Sequence, residues 1–416
     1  MPSSERISQL GSVATNQVMR EICVFLRNVI IARLMGAESL GEFIFLILSI
    51  RLLAMSTDLA TERYILWVKR HEVRTALASA HLVVCGRGVF LAACLIGLGA
   101  FEANGISFSC YLLLAGSALL RGFTHQGYRL KQRTLNFRPA LYVEASTTVL
   151  ATIALYVAAT MAPVLEVVCS VLLLQSGMHT ALSHILSDAP YEANFNKQQL
   201  GKMLGFGWPL MLSGVTMFWS MQGERVILSA ILDAEDFAHF SMLFQLALVP
   251  VLVVARIALT TGLPLLANSK NSAEAFEERL EKLSVATHGV SALFCIGFVL
   301  MANPTLVTLF GAPFEAETGL VMLVALAQAI RLCRTPQSVA AQALGHTDIP
   351  FKANLVRVSA VLVAVALLPF GGSLQLLLFV ACAGEAAAWI TQAMLYSLRT
   401  RRAPVCHKLK TQEQLS

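Results

Sequence analysis

Arg51, Arg87, Arg121 and Arg331 each lie eleven to fourteen residues into runs of sequence that are otherwise apolar. Arg20, Arg27 and Arg334 fall in such runs too. Arg20 and Arg27 are seven apart and share a helix face with Asn16 and Cys23, and Arg334 follows Arg331 by three. A guanidinium is permanently charged and presents a flat fork of donors that fits phosphate or carboxylate oxygens in pairs. At the centre of a spanning helix each costs about 2.5–3.5 kcal/mol, so residues kept there are candidates for function. The seven therefore make a candidate cationic, anion-binding cavity. Backbone carbonyls and helix C-termini are the alternative partners for any one of them. Arg256 and Arg357, close to the ends of their runs, are expected to snorkel instead.

Acids at the same depth are few. Glu21 and Glu385 are central, Glu144 is shallow, and Asp58 is seven residues from Arg51 and can pair with it. With both central acids paired, five cations remain. Glu385 sits among Gly384 and Ala386-Ala387-Ala388, small neighbours that let another helix approach. It is either the counter-ion of a buried arginine or a coupling acid that binds a proton or Na⁺. The sequence has no Gly-rich Lys loop, no His-Glu-x-x-His and no Gly-x-Ser-x-Gly. His179 and His184 are five apart and do not share a face. No catalytic residue, metal or cofactor is expected.

Helices in a membrane must position these charges. The 416 residues are 56% hydrophobic and 13% charged, with mean hydropathy +0.67, whereas a soluble domain is roughly a quarter charged. A separate soluble catalytic domain is excluded. At about 20 apolar residues per span, crossings fall at 11–34, 40–57, 75–100, 107–132, 138–161, 163–185, 203–223, 237–264, 283–302, 318–344, 351–369 and 373–398. The expected fold class is an all-α membrane protein of about twelve transmembrane helices. Runs 107–132 and 318–344 turn polar halfway and are expected to end early.

Twenty lysines and arginines, among them Arg63, Lys69, Arg70, Arg129, Lys131 and Arg399, collect on one side of these spans, against Arg33 and Arg225 on the other. Both termini are therefore expected in the cytoplasm. The net charge of +6 belongs to cytoplasmic loops, and no nucleic-acid partner is expected. The polar start, with Glu5 and Arg6, lacks a signal peptide's apolar core and is expected to be retained. Nine cysteines, mostly within apolar runs and without C-x-x-C spacing, read as small buried hydrophobes.

The chain repeats itself. Residues 31–46 align with 228–243 at an offset of 197, with Ala37 over Ala234, Glu38 over Glu235 and Phe43 over Phe240. A second match pairs Gln126 with Gln337 and Pro139 with Pro350. Six spans separate the copies, so the halves, 1–196 and 197–416, share one orientation, a plan common among transporters.

Arg33-Leu-Met-Gly-Ala-Glu-Ser-Leu-Gly-Glu-Phe43, at the first outer turn, resembles the R-x-L-G-x-x-x-x-G-x-F/Y signature of polysaccharide flippases. Leu200-Gly-Lys-Met-Leu-Gly-Phe-Gly-Trp-Pro-Leu-Met-Leu-Ser-Gly214 is similar to the start of their seventh span. These O-antigen and exopolysaccharide repeat-unit transporters form a branch of the multidrug, oligosaccharidyl-lipid and polysaccharide exporter superfamily. Two departures are visible: Glu224-Arg225 stands where the family often has Asp-Arg, and Asp233 and Ala238 replace both glycines of the second outer turn.

The resemblance implies two six-helix bundles around a central cavity, and flipping of lipid-linked oligosaccharide repeat units across the bacterial cytoplasmic membrane by alternating access. The implied partners are an undecaprenyl-pyrophosphate-linked oligosaccharide, whose anionic headgroup would meet the excess arginines, membrane lipid, and other membrane proteins of polysaccharide assembly. The alternatives are a multidrug or other small-solute exporter, which would want an acidic cavity, and a membrane-embedded polymerase or ligase, which would need a large external loop.

Overall fold

The computed structural model describes residues 3–101, 105–134, 136–269, 272–367 and 373–413, and side chains between 19 and 399. Asn16, Glu5 and Arg6 lie outside the described side chains. Among the described residues the secondary structure is helical throughout, as it must be where lipid offers the backbone no partner. In order the helices are α1 (Ser3–Met55), α2 (Thr61–Trp67), α3 (Val73–Ala100), α4 (Phe108–Gly122), α5 (Arg138–Leu141), α6 (Thr147–Met161) and α7 (Leu165–Ile185). Then follow α8 (Lys197–Leu228), α9 (Ala234–Ala267), α10 (Ala273–Phe310), α11 (Thr318–Cys333), α12 (Thr335–Ala343), α13 (Asp348–Leu367) and α14 (Leu374–Glu413). Eight helical stretches are long and apolar enough to cross a membrane. The two arms of α1, the 15-residue α4 and the charged α8 complete the twelve crossings.

Breaks come where the residues dictate them. Within α1 the helix is interrupted at Gly36, φ 90°, ψ 175°, a left-handed conformation that a Cβ resists. At the matching position of the second half, Asp233 has φ −64° and caps α9, its side chain accepting from the amide of Asp236 at 2.8 Å. Loss of the glycine thus goes with a different turn, as the departure from the family pattern suggested. The fourth and tenth spans do end early, at Gly122 and Cys333, each followed by a short helical piece, 3₁₀ over Gln126–Thr134 in one case and α12 in the other. Between α5 and α6 the segment Tyr142–Ser146 is a π turn, a form that is rare and concentrated at functional sites.

The chain divides into two compact units, Met1–Val215 and Thr216–Ser416. The division falls inside α8 instead of at the expected residue 197. The reason is that the start of α8 is bonded into the first unit: Lys202 pairs with Glu72 at 2.8 Å, Gln199 accepts from Tyr64 at 2.9 Å, and Met203 is buried in a cluster with Tyr64, Ile65 and Leu77. In the first unit α4 packs between α3 and α7, and α6 between α1 and α7. The close approach of α3 to α4 depends on Gly88, where a Cβ would stand 2.6 Å from the Cα of Gly122. In the second unit α14 packs on α13 and α11, and α9 on α10, α11 and α12.

The connection from α7 to α8 is fastened to the first unit. Tyr191 stacks on His81, whose ring Nδ1 meets the Glu192 carbonyl at 2.8 Å and whose Nε2 accepts from the amide of Gln126 at 3.1 Å. Arg74 bonds Glu192 at 2.6 Å and holds its carboxyl below the usual carboxylate range.

Candidate functional site

The first unit carries an open-mouthed cavity of about 230 Å³, lined by Arg20, Arg27, Arg121 and Arg129, by a single acid, Glu144, and by Gln175 and His179. The long arm of α1 carries Arg20 and Arg27 on one face, as their spacing of seven requires. Arg27 is buried and donates to Gln175 at 3.3 Å. Arg121, at the end of α4, donates from Nε to the Ser176 hydroxyl at 3.3 Å. Neither bond is to an acid. Arg20 pairs with Glu21 at 3.5 Å.

Arg129 differs. Its Nη1 meets Glu62 at 3.0 Å, its Nη2 meets Glu144 at 3.0 Å, and its guanidinium lies 5.2 Å from the centre of the Tyr128 ring. Glu144, expected to be shallow, stands in the π turn and lines the cavity.

The other predicted arginines of this unit lie elsewhere. Arg51 is exposed, and the charges acting on it are Glu21, Arg20 and Arg27. Arg87 caps the C-terminal end of α1, donating to the Ala54 carbonyl at 2.6 Å and the Thr57 hydroxyl at 3.1 Å, with Asp58 at 3.7 Å. Asp58 therefore pairs with Arg87, not with Arg51; beyond Met55 the chain has left the helix and no longer points its side chains along α1's face. Arg87 takes the helix-terminus role that was the alternative reading for these residues.

In the second unit Glu385 is fully buried at the centre of an ion-pair hub. Arg331 reaches it at 2.5 and 2.7 Å, Arg357 at 2.9 Å and Arg334 at 3.9 Å. Arg357 also pairs with Glu224, the acid of the Glu224-Arg225 motif. Arg331 further donates to Gln328 at 3.2 Å and to the Ser220 carbonyl at 3.3 Å, and Arg334 to Asn354 at 2.9 Å. Gly384 admits α13, since a Cβ there would stand 2.4 Å from that of Ala360.

Arg357 is thus no snorkelling residue. Its guanidinium is buried between Glu224 and Glu385, acids brought by other helices that counting along its own run does not reveal. Arg256 is exposed. Arg225, counted with the external loop, is buried within α8 and donates to Gln222 at 3.0 Å.

The sequence reading missed Arg129 and His179. Arg129 reads as part of a basic cytoplasmic loop, and the 3₁₀ piece after α4 turns it towards the cavity. For His179 a signal existed: Gln175 and His179 are four apart on α7 and so share a face. Among the described residues no cluster of His, Cys, Asp and Glu could hold a metal ion.

Residues 30–317 match the family described as polysaccharide biosynthesis protein. The chain belongs to that family. Comparison with curated protein sequences finds no match. Among solved structures it is similar to the lipid II flippase MurJ in an inward closed conformation, with TM-score 0.71 and 14% identity over 94% of this chain and 87% of that one. It also resembles an inward-facing multidrug resistance MATE family transporter of the MOP superfamily, with TM-score 0.65 and 15% identity over 91% and 94% of the two chains. A MOP superfamily transporter from Pyrococcus furiosus Vc1, described as having a binding pocket of reverse polarity, aligns with TM-score 0.58 and 14% identity over 95% of each chain. Family member and fold agree: this is an all-α, multi-pass membrane protein with the fold of MOP superfamily transporters.

Proposed function

We propose that this protein of the polysaccharide biosynthesis family flips lipid-linked oligosaccharide repeat units across the bacterial cytoplasmic membrane by alternating access, with both termini in the cytoplasm. The observation that carries the reading is the cavity of the first unit, where Arg27 and Arg121 have only neutral partners among the bonds described above. Two guanidinium groups without acid partners match the two negative charges of a pyrophosphate diester such as an undecaprenyl-pyrophosphate-linked glycan. Arg51, outside the cavity lining, adds positive potential at Arg27. Arg331 and Arg334 are read as partners of Glu385, and Glu385 as a structural counter-ion before a coupling acid, because three guanidinium groups already surround it.

Export of a cationic drug, the work of other exporters with this fold, would call for an acidic cavity, and four arginines against Glu144 oppose it. The reading is tested in a strain lacking the protein. Lipid-linked repeat units should accumulate facing the cytoplasm and be cleared by the native chain but not by Arg121→Ala. Normal export in the deletion strain would overturn it.

A further inference from the structure

Arg129 is the one arginine lining the cavity that two carboxylates hold at once, Glu62 from α2 and Glu144 from the π turn, each at 3.0 Å. With Arg129 they form a triad carrying one net negative charge at the edge of a cavity that is otherwise positive. Resting on the anion-binding reading above, we infer that the triad is a proton-linked counter-ion. A doubly charged headgroup and one proton are taken up together, the ligand on Arg27 and Arg121, the proton on Glu62 or Glu144.

The argument is one of charge balance in a small space. Arg27 and Arg121 match two negative charges, so the ligand as such needs no further cation. What it meets is the negative triad, whose Glu144 lines the same cavity and, like Arg129, is largely shielded from solvent, so that repulsion between like charges is only partly screened. Protonating one carboxylate makes the triad neutral. It also releases one edge of the Arg129 fork, which can then turn to the ligand. The proton comes from water and resides on the freed carboxylate oxygen; when the ligand leaves, Arg129 re-pairs and the proton is lost.

A singly charged phospholipid headgroup opposes the triad less and draws no proton, so the device distinguishes a pyrophosphate diester from bulk lipid. The groups that face the triad act in the same sense on either side of the exchange. They are Arg20 and Arg27 on α1, Asp58 with Arg87, Arg121 on α4, Tyr128 beside Arg129, and His179 on α7. Besides the carboxylate of Asp58, which is held by Arg87, His179, whose Nδ1 has no hydrogen-bond partner, offers a second place for a proton.

The test is calorimetric titration of the full chain in nanodiscs with citronellyl-pyrophosphoryl-N-acetylglucosamine, a diester that itself exchanges no proton near neutrality. The titration is run in buffers of different ionisation enthalpy. The native protein should take up about one proton per ligand bound and lose affinity with rising pH by up to about tenfold per unit. Glu144→Gln, or Glu62→Gln should the first not fold, leaves a neutral triad. Each should bind with no proton uptake, with affinity flat across pH, and more tightly than the native chain at the alkaline end. Uptake that persists in both variants and disappears in His179→Gln would overturn the inference, as would native binding without uptake. Absence of any binding to the native chain would instead bring down the anion-binding reading as well.

Discussion

A guanidinium bonded to a neutral partner can exchange that partner for an anion at little cost, whereas one held by a carboxylate must first lose an ion pair. Arg27 and Arg121 are of the first kind, and Arg331, Arg334 and Arg357 of the second. Replacing Arg27 or Arg121 by Ala should therefore abolish export with protein abundance unchanged, as an immunoblot beside an export assay would show. Arg121→Lys should keep little activity if the fork matters and part of it if bulk charge suffices. Glu385→Gln acts on folding instead. It strands buried guanidinium groups, a loss of about 3–5 kcal/mol when one side of a buried pair is removed, and thermal unfolding in detergent should show it. Arg357→Ala should resemble it; a melting temperature equal to the native one would mean that the hub is dispensable. Which arginines fall within helices was legible from the apolar runs alone. Their partners were not, because counting along a run measures depth, while pairing depends on neighbours from other helices.

At the level of elements, chemistry that is local to the chain was legible and irregular geometry was not. The early ends of the fourth and tenth spans follow from residues that turn polar, and the altered second outer turn follows from Asp233 standing where the first half has Gly36. These two positions make a paired prediction. Gly36→Ala should destabilise by about 1 kcal/mol or more, since φ 90° resists a Cβ, and Asp233→Ala by about 1 kcal/mol through loss of its cap. Asp233→Gly should cost only a few tenths of a kcal/mol, and an equal loss for both replacements at 233 would contradict the capping role. The π turn at Tyr142–Ser146 left no trace in the residue pattern. A single extra residue in a helical turn does not alter hydrophobic periodicity enough to be read, and so Glu144 could not be placed in advance.

At the level of the whole chain, the order and approximate bounds of the twelve crossings could be read from hydropathy, and the fold shared with MOP superfamily transporters accords with them. The boundary between the two units could not. It depends on Lys202, Gln199 and Met203 bonding back to residues more than a hundred positions earlier, and long-range partners leave no local mark. The charge asymmetry predicts that cysteines introduced at Ala162 and Ser373 react with an impermeant thiol reagent added outside intact cells, while cysteines at Lys69 and Lys131 react only after permeabilisation. Labelling at Lys131 from outside would reverse the orientation and with it the direction of transport.

The hub around Glu385 also constrains how the protein can change over generations. One carboxylate serves three arginines, and one of those arginines serves a second acid, so losing Glu385 leaves Arg331 and Arg334 without an acid and losing Arg357 leaves Glu224 without a cation. Single substitutions there are traps, and divergence must proceed by compensated pairs. Descendants that lose the acid at 385 should also have lost an arginine at 331, 334 or 357, and the five positions should be inherited as a block even where the surrounding helices drift freely.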